Sequence, residues 1–402
     1  MNIEDYTAKA ESYLSTLCSV KPNRRTGSPG NWEATQFFNE TIKSLGFQTD
    51  VAAFETLDHV NDGSILKIDN EDFEVFTSPY SIGCVVKENL NVVSRVDELE
   101  SSNYEGKILL MMGSICAEQL MPKNFVFYNP EHHQKLISLL ESKSPSAIIT
   151  ATAKNPDQVG ALYPFPLIVD GDFDIPSVYC RDSVGESLSK LRGKEALLEI
   201  NASRVPAKAT NVIASLQKES PRKVVLTAHI DAYEDSPGAS DNASGTVVLL
   251  LVAEMLSDYR GEYCIEIAAL NGEDHYSAGG QMDYLKRYRD EFSKIHLSIN
   301  IDDVGYKHGG SAYSFYEYPD DIEAQAKDLF NKFKGISQGE QWFNGDHMIF
   351  VQNNVPSIAF TAQQMPELMK MITHTSMDVP EIVDCQKLVE VASALSGFIR
   401  LL

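Results

Sequence analysis

The chain has 402 residues, with 34 Lys+Arg against 57 Asp+Glu and a formal net charge of −23. Such acidity excludes a nucleic-acid binder, which needs a basic face to meet phosphates. Hydrophobic residues at 43% and charged residues at 23% exclude a mainly disordered chain, and the length allows two or three domains whose cores need no disulfide staple.

The amino terminus opens on acidic residues, without a basic stretch followed by an apolar one, so it does not read as a signal peptide. The longest apolar run, 247–253, falls far short of the ~20 residues a membrane span requires. Six scattered cysteines without a C-x-x-C pair point to reduced thiols in a cytoplasmic protein. The negative charge favours cationic or zwitterionic substrates over polyanions, and neither nucleic acid nor membrane is expected as a partner.

In chain order, apolar side chains at Ile3, Tyr6, Ala10, Tyr13, Leu14 and Leu17 recur near a 3.6-residue period and predict a helix over 3–19. The stretch 21–30, with Pro22, Gly27, Pro29 and Gly30, breaks it. A second helix over 32–45 stops at Gly46 as a C′ glycine would stop it, and a strand follows over 47–54. From 61 to 205 short β-rich runs such as Lys107-Ile-Leu-Leu-Met-Met112 and Ser146-Ala-Ile-Ile-Thr150 surround one helical pattern at 130–142. That change of character predicts an inserted unit over 61–205 within a main domain of 1–60 plus 206–402. From 211 onward strands are predicted at 211–215, 223–228, 263–270, 297–301 and 356–360, with helices at 243–256, 322–333 and 386–402 among them. The fold class is therefore α/β, a mixed, mostly parallel sheet with helices on both faces.

Ligands in open α/β sheets gather at the carboxyl ends of strands. Five acidic or histidine clusters fall there: His229-Ile-Asp231, Gly238-Ala-Ser-Asp241, Asn271-Gly-Glu273-Asp274-His275, Asp302-Asp303 and Thr373-His374-Thr-Ser-Met-Asp378. One carboxylate at a strand end means little, because turns and helix caps favour Asp. Five clusters mixed with His match what zinc-like cations need, imidazole nitrogen and carboxylate oxygen, with one carboxylate able to bridge a pair of ions.

The ordered set H-I-D, G-A-S-D-N-A-S-G, N-G-E-D-H, N-I-D-D-V-G and T-H-T-S-M-D, with the earlier R-R-T-G-S-P-G-N and the G-D-H-M-I-F-V-Q-N-N-V-P stretch, resembles the co-catalytic di-zinc aminopeptidases. These are typified by bacterial leucyl aminopeptidase and aminopeptidase Y and are related to glutamate carboxypeptidase II. The resemblance covers the amino-terminal helices and everything from about Asn211 on, and the insert resembles a protease-associated domain. It implies a zinc-exopeptidase type of fold and two Zn²⁺ ions per chain, with other divalent metals as substitutes. His229 and Asp302 would hold one ion, Asp274 and His374 the other, and Asp241 both. Glu273 would be the general base and Asp231 the group that orients the His229 ring. The implied reaction is release of the amino-terminal residue of a peptide with a free amino group, by attack of a hydroxide held by the zinc pair. A dipeptidase, a carboxypeptidase, a glutaminyl-cyclase-like enzyme or a metal-free binding protein on the same scaffold are the alternatives.

The chain departs from this family at one ligand position and at two neighbours of the site. Asp274 stands where members mostly have Glu, Asp303 follows Asp302 where Met is common, and Trp342 stands near the place of a Tyr that stabilises the oxyanion in some members. The run 361–372 reads as a Met-rich loop that would help build the side-chain pocket. Plainer readings apply to other residues: Asp346-His347 as a turn and helix cap, His132-His133 as a surface pair in the insert, and His275 and His308 as unmarked neighbours of the centre. Gly335-Ile-Ser337-Gln-Gly339 fits a nucleophile elbow, but a helix before it and a polar loop after it favour a helix stop. There is no G-x-x-x-x-G-K-[ST], no G-x-G-x-x-G and no H-E-x-x-H.

Overall fold

The computed structural model describes residues 3–154 and 160–402. They form two compact units, one of Met1–Thr56, Lys208–Leu368 and Ile372–Leu402, the other built on Leu57–Ala207.

The first unit opens with helices α1 (Ile3–Ser19) and α2 (Pro29–Ser44). Pro29 and Gly30 belong to α2 and do not merely break the chain: Ser28 caps the helix by accepting the Asn31 amide, and Pro29 needs no donor in the first turn. Gly46 sits at φ +92°, as the predicted C′ glycine should. The sheet strands are β1 (Gln48–Asp50), β2 (Val212–Leu216), β3 (Lys223–His229), β4 (Cys264–Leu270), β5 (Ile295–Ile301), β6 (Ser311–Tyr316), β7 (Ile336–Gln338) and β8 (Ser357–Ala362). They lie in the order β1-β2-β4-β3-β5-β8-β6-β7. The four central strands β4, β3, β5 and β8 are parallel, with β2 and β6 antiparallel against them.

The helices α3 (Gly245–Met255), α4 (Gly279–Tyr288), α5 (Asp320–Phe330) and α6 (Cys385–Leu401) complete the unit. α3 is apolar all round and buried from Gly245 to Ala253, as a helix enclosed by others must be. It packs against α1, α2 and α6, and its core takes in Val224, Leu226 and Ala228 of β3 and Ile265, Ile267 and Ala269 of β4. Alternate residues face the other side, where Lys223 pairs with Glu266 at 2.7 Å and Tyr284 of α4 donates to Glu266 at 2.6 Å.

Two expectations need correction here. Ser337 lies inside β7, a three-residue strand parallel to β6, with no helix directly after it, so it is neither a nucleophile elbow nor a helix stop. The run 361–372 is not a loop: it continues β8 to Ala362 and then forms a short helix, Met365–Met371, because Leu368 and Ile372 bury against Tyr306 and Ala362.

The second unit carries its own sheet, in which Cys84–Val93, Ile108–Met111, Ala147–Thr152 and Ser177–Arg181 run parallel. The long strands Ala53–Ile68 and Glu195–Thr210 carry the chain into and out of it. Beside the expected helix, here Glu131–Lys143, stand two short ones, Val96–Ser101 and Asp182–Ser189, too brief to leave a periodic signal. Among the described residues no helix is long and apolar enough to cross a membrane, and all six cysteines are unpaired.

Candidate active site

Parallel β4, β3 and β5 end side by side, so the residues that follow them meet at one edge of the sheet. His229 ends β3, the Asn271–Asp274 turn follows β4, and Asp302 follows β5. Asp241 comes from the turn ahead of α3, and His374, at φ +64°, from the loop after the Met365–Met371 helix.

These residues converge. His229 Nε2 lies 3.1 Å from Asp241 Oδ1 and 3.4 Å from Asp302 Oδ1. His374 Nε2 lies 3.3 Å from Asp241 Oδ2 and 3.0 Å from Asp274 Oδ1. Asp241 thus offers one carboxylate oxygen to each imidazole. A helix cap would turn its side chain toward backbone amides instead. Asp303 sits beside the group, but its Oδ1 accepts the Ser240 hydroxyl at 2.8 Å, which leaves Asp302 as the neighbour of His229.

Asp231 backs this arrangement. Its Oδ1 stands 3.6 Å from His229 Nδ1 and accepts the Gly272 amide at 2.8 Å and the Glu273 amide at 3.3 Å. Its Oδ2 accepts the Asp274 amide at 3.2 Å and the Thr26 hydroxyl at 2.9 Å. Asp378 does the same for Asp241, accepting the amides of Ser240 at 2.7 Å and Asp241 at 3.1 Å. The Tyr233 ring stacks on His374, with centroids 4.5 Å apart and planes at 15°.

Burial disfavours charge on every group here, and the carboxylates crowd one another. Burial would lower the His229 imidazole, but Asp302, Asp231 and Asp241 outweigh it and raise it well above its usual value. His374 is raised in the same way by Asp274 and Asp241 against the effect of burial. Asp241 falls below the ordinary carboxylate range despite burial, because both histidines favour its ionised form. Burial, then neighbouring carboxylates, raise Asp274 and Asp302. Glu273 is raised well above its usual value by burial and by Asp274, Asp302 and Asp346. Such mutual repulsion is what a bound cation relieves. His229 Nε2, Asp302 Oδ1 and Asp274 Oδ2 are buried without a hydrogen-bond partner. Nitrogen and oxygen donors left open in this way fit zinc or a similar ion, and two overlapping donor groups, His229/Asp241/Asp274 and Asp241/Asp302/Asp303, share Asp241.

Other expectations resolve differently. Asp346 is not merely a turn residue: it is buried near the centre, accepts from Gln281 Nε2 at 2.8 Å, and is pushed up to about 7 by burial and by Asp302 and Asp231. His347 is held by the Trp342 carbonyl at 2.9 Å and lowered to about 4 by burial. The Trp342 indole nitrogen is itself buried and unpartnered. His275 turns its ring nitrogens toward Ser277 at 2.9 Å and Thr56 at 3.4 Å, and His308 is exposed. In the second unit Glu118, His132 and His133 cluster, but His133 Nδ1 accepts the Met121 amide at 3.1 Å. That bond places the ring proton on Nε2, the atom that faces Glu118, so His133 cannot ligate through it. Thr26, Tyr233 and Asp378 lay within quoted motifs or beside them, but no spacing rule marks a residue that supports a ligand from behind.

Two imidazoles and several buried carboxylates thus gather beside the carboxyl ends of the parallel strands of an α/β sheet, a donor set suited to divalent metal ions. Residues 211–399 match Peptidase family M28. Over 388 residues the chain is 29% identical to a probable leucine aminopeptidase 2 of Trichophyton verrucosum, covering 89% of this chain and 72% of that protein. A shorter match, 30% over 162 residues, to a probable leucine aminopeptidase 2 of Arthroderma benhamiae covers 37% of this chain and spans only 32% of that relative. The fold is similar to that of BSAP, a zinc aminopeptidase from Bacillus subtilis, with a TM-score of 0.74 at 20% identity, over 98% of this chain and 94% of that one.

Proposed function

We propose that the chain is a zinc-dependent aminopeptidase that releases the amino-terminal residue of a peptide. The observation that carries this reading is Asp241, whose two carboxylate oxygens face His229 and His374 separately, at 3.1 and 3.3 Å. A bridging carboxylate of this kind serves a pair of ions. His229 and Asp302 would hold one zinc, Asp274 and His374 the other, and Asp241 both. When bound, the metal supplies Lewis acidity, acidifying water and polarising the scissile carbonyl.

The remaining steps belong to the chain's own groups. Glu273 takes the proton from the attacking water and returns it to the leaving amine; burial and the neighbouring Asp274, Asp302 and Asp346 favour its protonated form, which helps it hold the proton between the two transfers. Asp231 holds the amides of Gly272, Glu273 and Asp274, which fixes the base relative to His229. The carboxylate-rich pocket attracts the free α-amino group of the substrate. The second unit is read as a protease-associated domain, and the six unpaired cysteines support a reducing, cytoplasmic setting.

The test is hydrolysis of a panel of free-amine and N-blocked aminoacyl chromogenic amides, with chelator and with zinc added back. Chelator-sensitive cleavage of free-amine substrates alone is expected. Cleavage of blocked substrates, or only of carboxyl-terminal bonds, would assign another reaction to the same centre.

A further inference from the structure

Arg24 is the largest fully buried side chain of the described residues, at 1% exposure, and among those residues no carboxylate forms an ion pair with it. Its guanidinium is instead surrounded by main-chain carbonyls. Nε donates to Ile230 at 2.9 Å, Nη1 to Leu17 at 3.0 Å and Pro237 at 2.7 Å, and Nη2 to Gly238 at 2.7 Å. Burying a cation among neutral dipoles is costly unless geometry or a surrounding negative field compensates.

The identity of those carbonyls is informative. Ile230 lies between His229 and Asp231, and Pro237 and Gly238 lead into Asp241. One planar fork thus joins the end of β3 to the turn ahead of α3, the two segments whose side chains meet at 3.1 Å. Gly238 is shaped for this contact: it sits at φ +62°, and a Cβ there would stand 2.7 Å from Arg24 Nη2. Neighbours of Arg24 extend the same support to the third segment. Thr26 bonds Asp231, and Asn31 donates to Asn271, at the start of the turn that carries Glu273 and Asp274.

We propose that Arg24 is a positioning residue of the metal centre, setting the separation of His229 and Asp241 and hence the affinity for metal. This rests on the metal-centre reading above. A lysine at 24 could offer charge but not the planar, multi-toothed donor set that spans these carbonyls. Loss of a group that orients ligands typically weakens metal binding by about 10- to 100-fold.

The experiment measures zinc affinity by competition with a chromophoric chelator, and the absorption spectrum of the cobalt-loaded protein, for wild type, Arg24→Lys and Arg24→Ala. Circular dichroism and thermal unfolding in chelator report the fold of each. Expected for Arg24→Lys is a cooperative fold, zinc affinity about 10- to 100-fold weaker and an altered cobalt spectrum. For Arg24→Ala, methylguanidinium in solution is expected to restore part of the affinity through the cleft that Leu17, Lys21, Asp235 and Pro237 form beside Arg24. Wild-type zinc affinity and cobalt spectrum in Arg24→Lys overturn the proposal, whether or not stability falls. Wild-type protein that binds no zinc removes the metal-centre reading itself.

Discussion

Asp231 Oδ1 accepts the backbone amide of Gly272 at 2.8 Å, so a residue two positions after His229 also anchors the turn that holds Glu273 and Asp274. The carboxylate has 0% exposure, and Asn in its place would lose one acceptor where four donors converge. Asp231→Asn is therefore expected to weaken zinc binding by about 10- to 100-fold. Chelator competition against the wild-type protein measures this directly.

Glu273 is assigned the proton transfer and no share in holding metal. Glu273→Gln preserves size and should leave zinc content unchanged, while kcat falls by about 10²- to 10⁴-fold, the usual worth of a general acid–base group. Metal analysis beside steady-state kinetics separates the two effects, and loss of zinc together with activity would place Glu273 among the ligands.

Tyr233 lies flat on His374, whose Nδ1 is buried without a hydrogen-bond partner, so stacking holds the ring plane while Asp274 and Asp241 hold Nε2. Tyr233→Leu should lower zinc affinity at the Asp274/His374 side more than at the His229 side. Two-phase zinc titration of the variant, with only the weaker phase displaced, is the expected record.

Metal removal should also lower stability, because the carboxylates remain buried and unrelieved. Zinc bound only by the folded state adds about 4 kcal/mol at a free concentration near a thousand times Kd. Thermal unfolding with and without chelator would register this as a fall in midpoint of several degrees; equal midpoints would count against a native metal centre.

Asp346 gives a pH signature in the metal-free protein. Burial, with Asp302 and Asp231 nearby, pushes it up to about 7 against His229 and the Gln281 bond, which act the other way. A folded-state pKa above the unfolded one means the folded form binds the proton more tightly. Its ionisation therefore costs stability as pH rises from about 4 through 7, up to about 4 kcal/mol. Asp346→Asn, which can still accept from Gln281, should be more stable than wild type at pH 8 and equal to it near pH 4. Denaturant unfolding of the metal-free pair across this range is the check.

The alternation of apolar strands and helices from Asn211 onward already determined an α/β sheet, since period-2 and period-3.6 patterns follow from local geometry. The clusters at His229, Glu273-Asp274 and Asp302 were legible for a related reason: each ends or follows an apolar run that must stop at the sheet edge, whereas Asp241 precedes an apolar helix and His374 follows a short one. Only the tertiary structure decided how they meet. Parallel β4, β3 and β5 side by side bring residues 45 and 73 positions from His229 against it, at Asp274 and Asp302. That Asp302, and not Asp303, stands beside His229 depended on where the Ser240 hydroxyl lies, a contact 63 residues away in sequence. The supporting contacts of Arg24, Thr26 and Asp378 were likewise hidden, because hydrogen bonds to distant backbone leave no periodicity to read. The run 361–372 looked like a loop because its helix of about two turns is held by burial of Leu368 and Ile372 and not by any local signal.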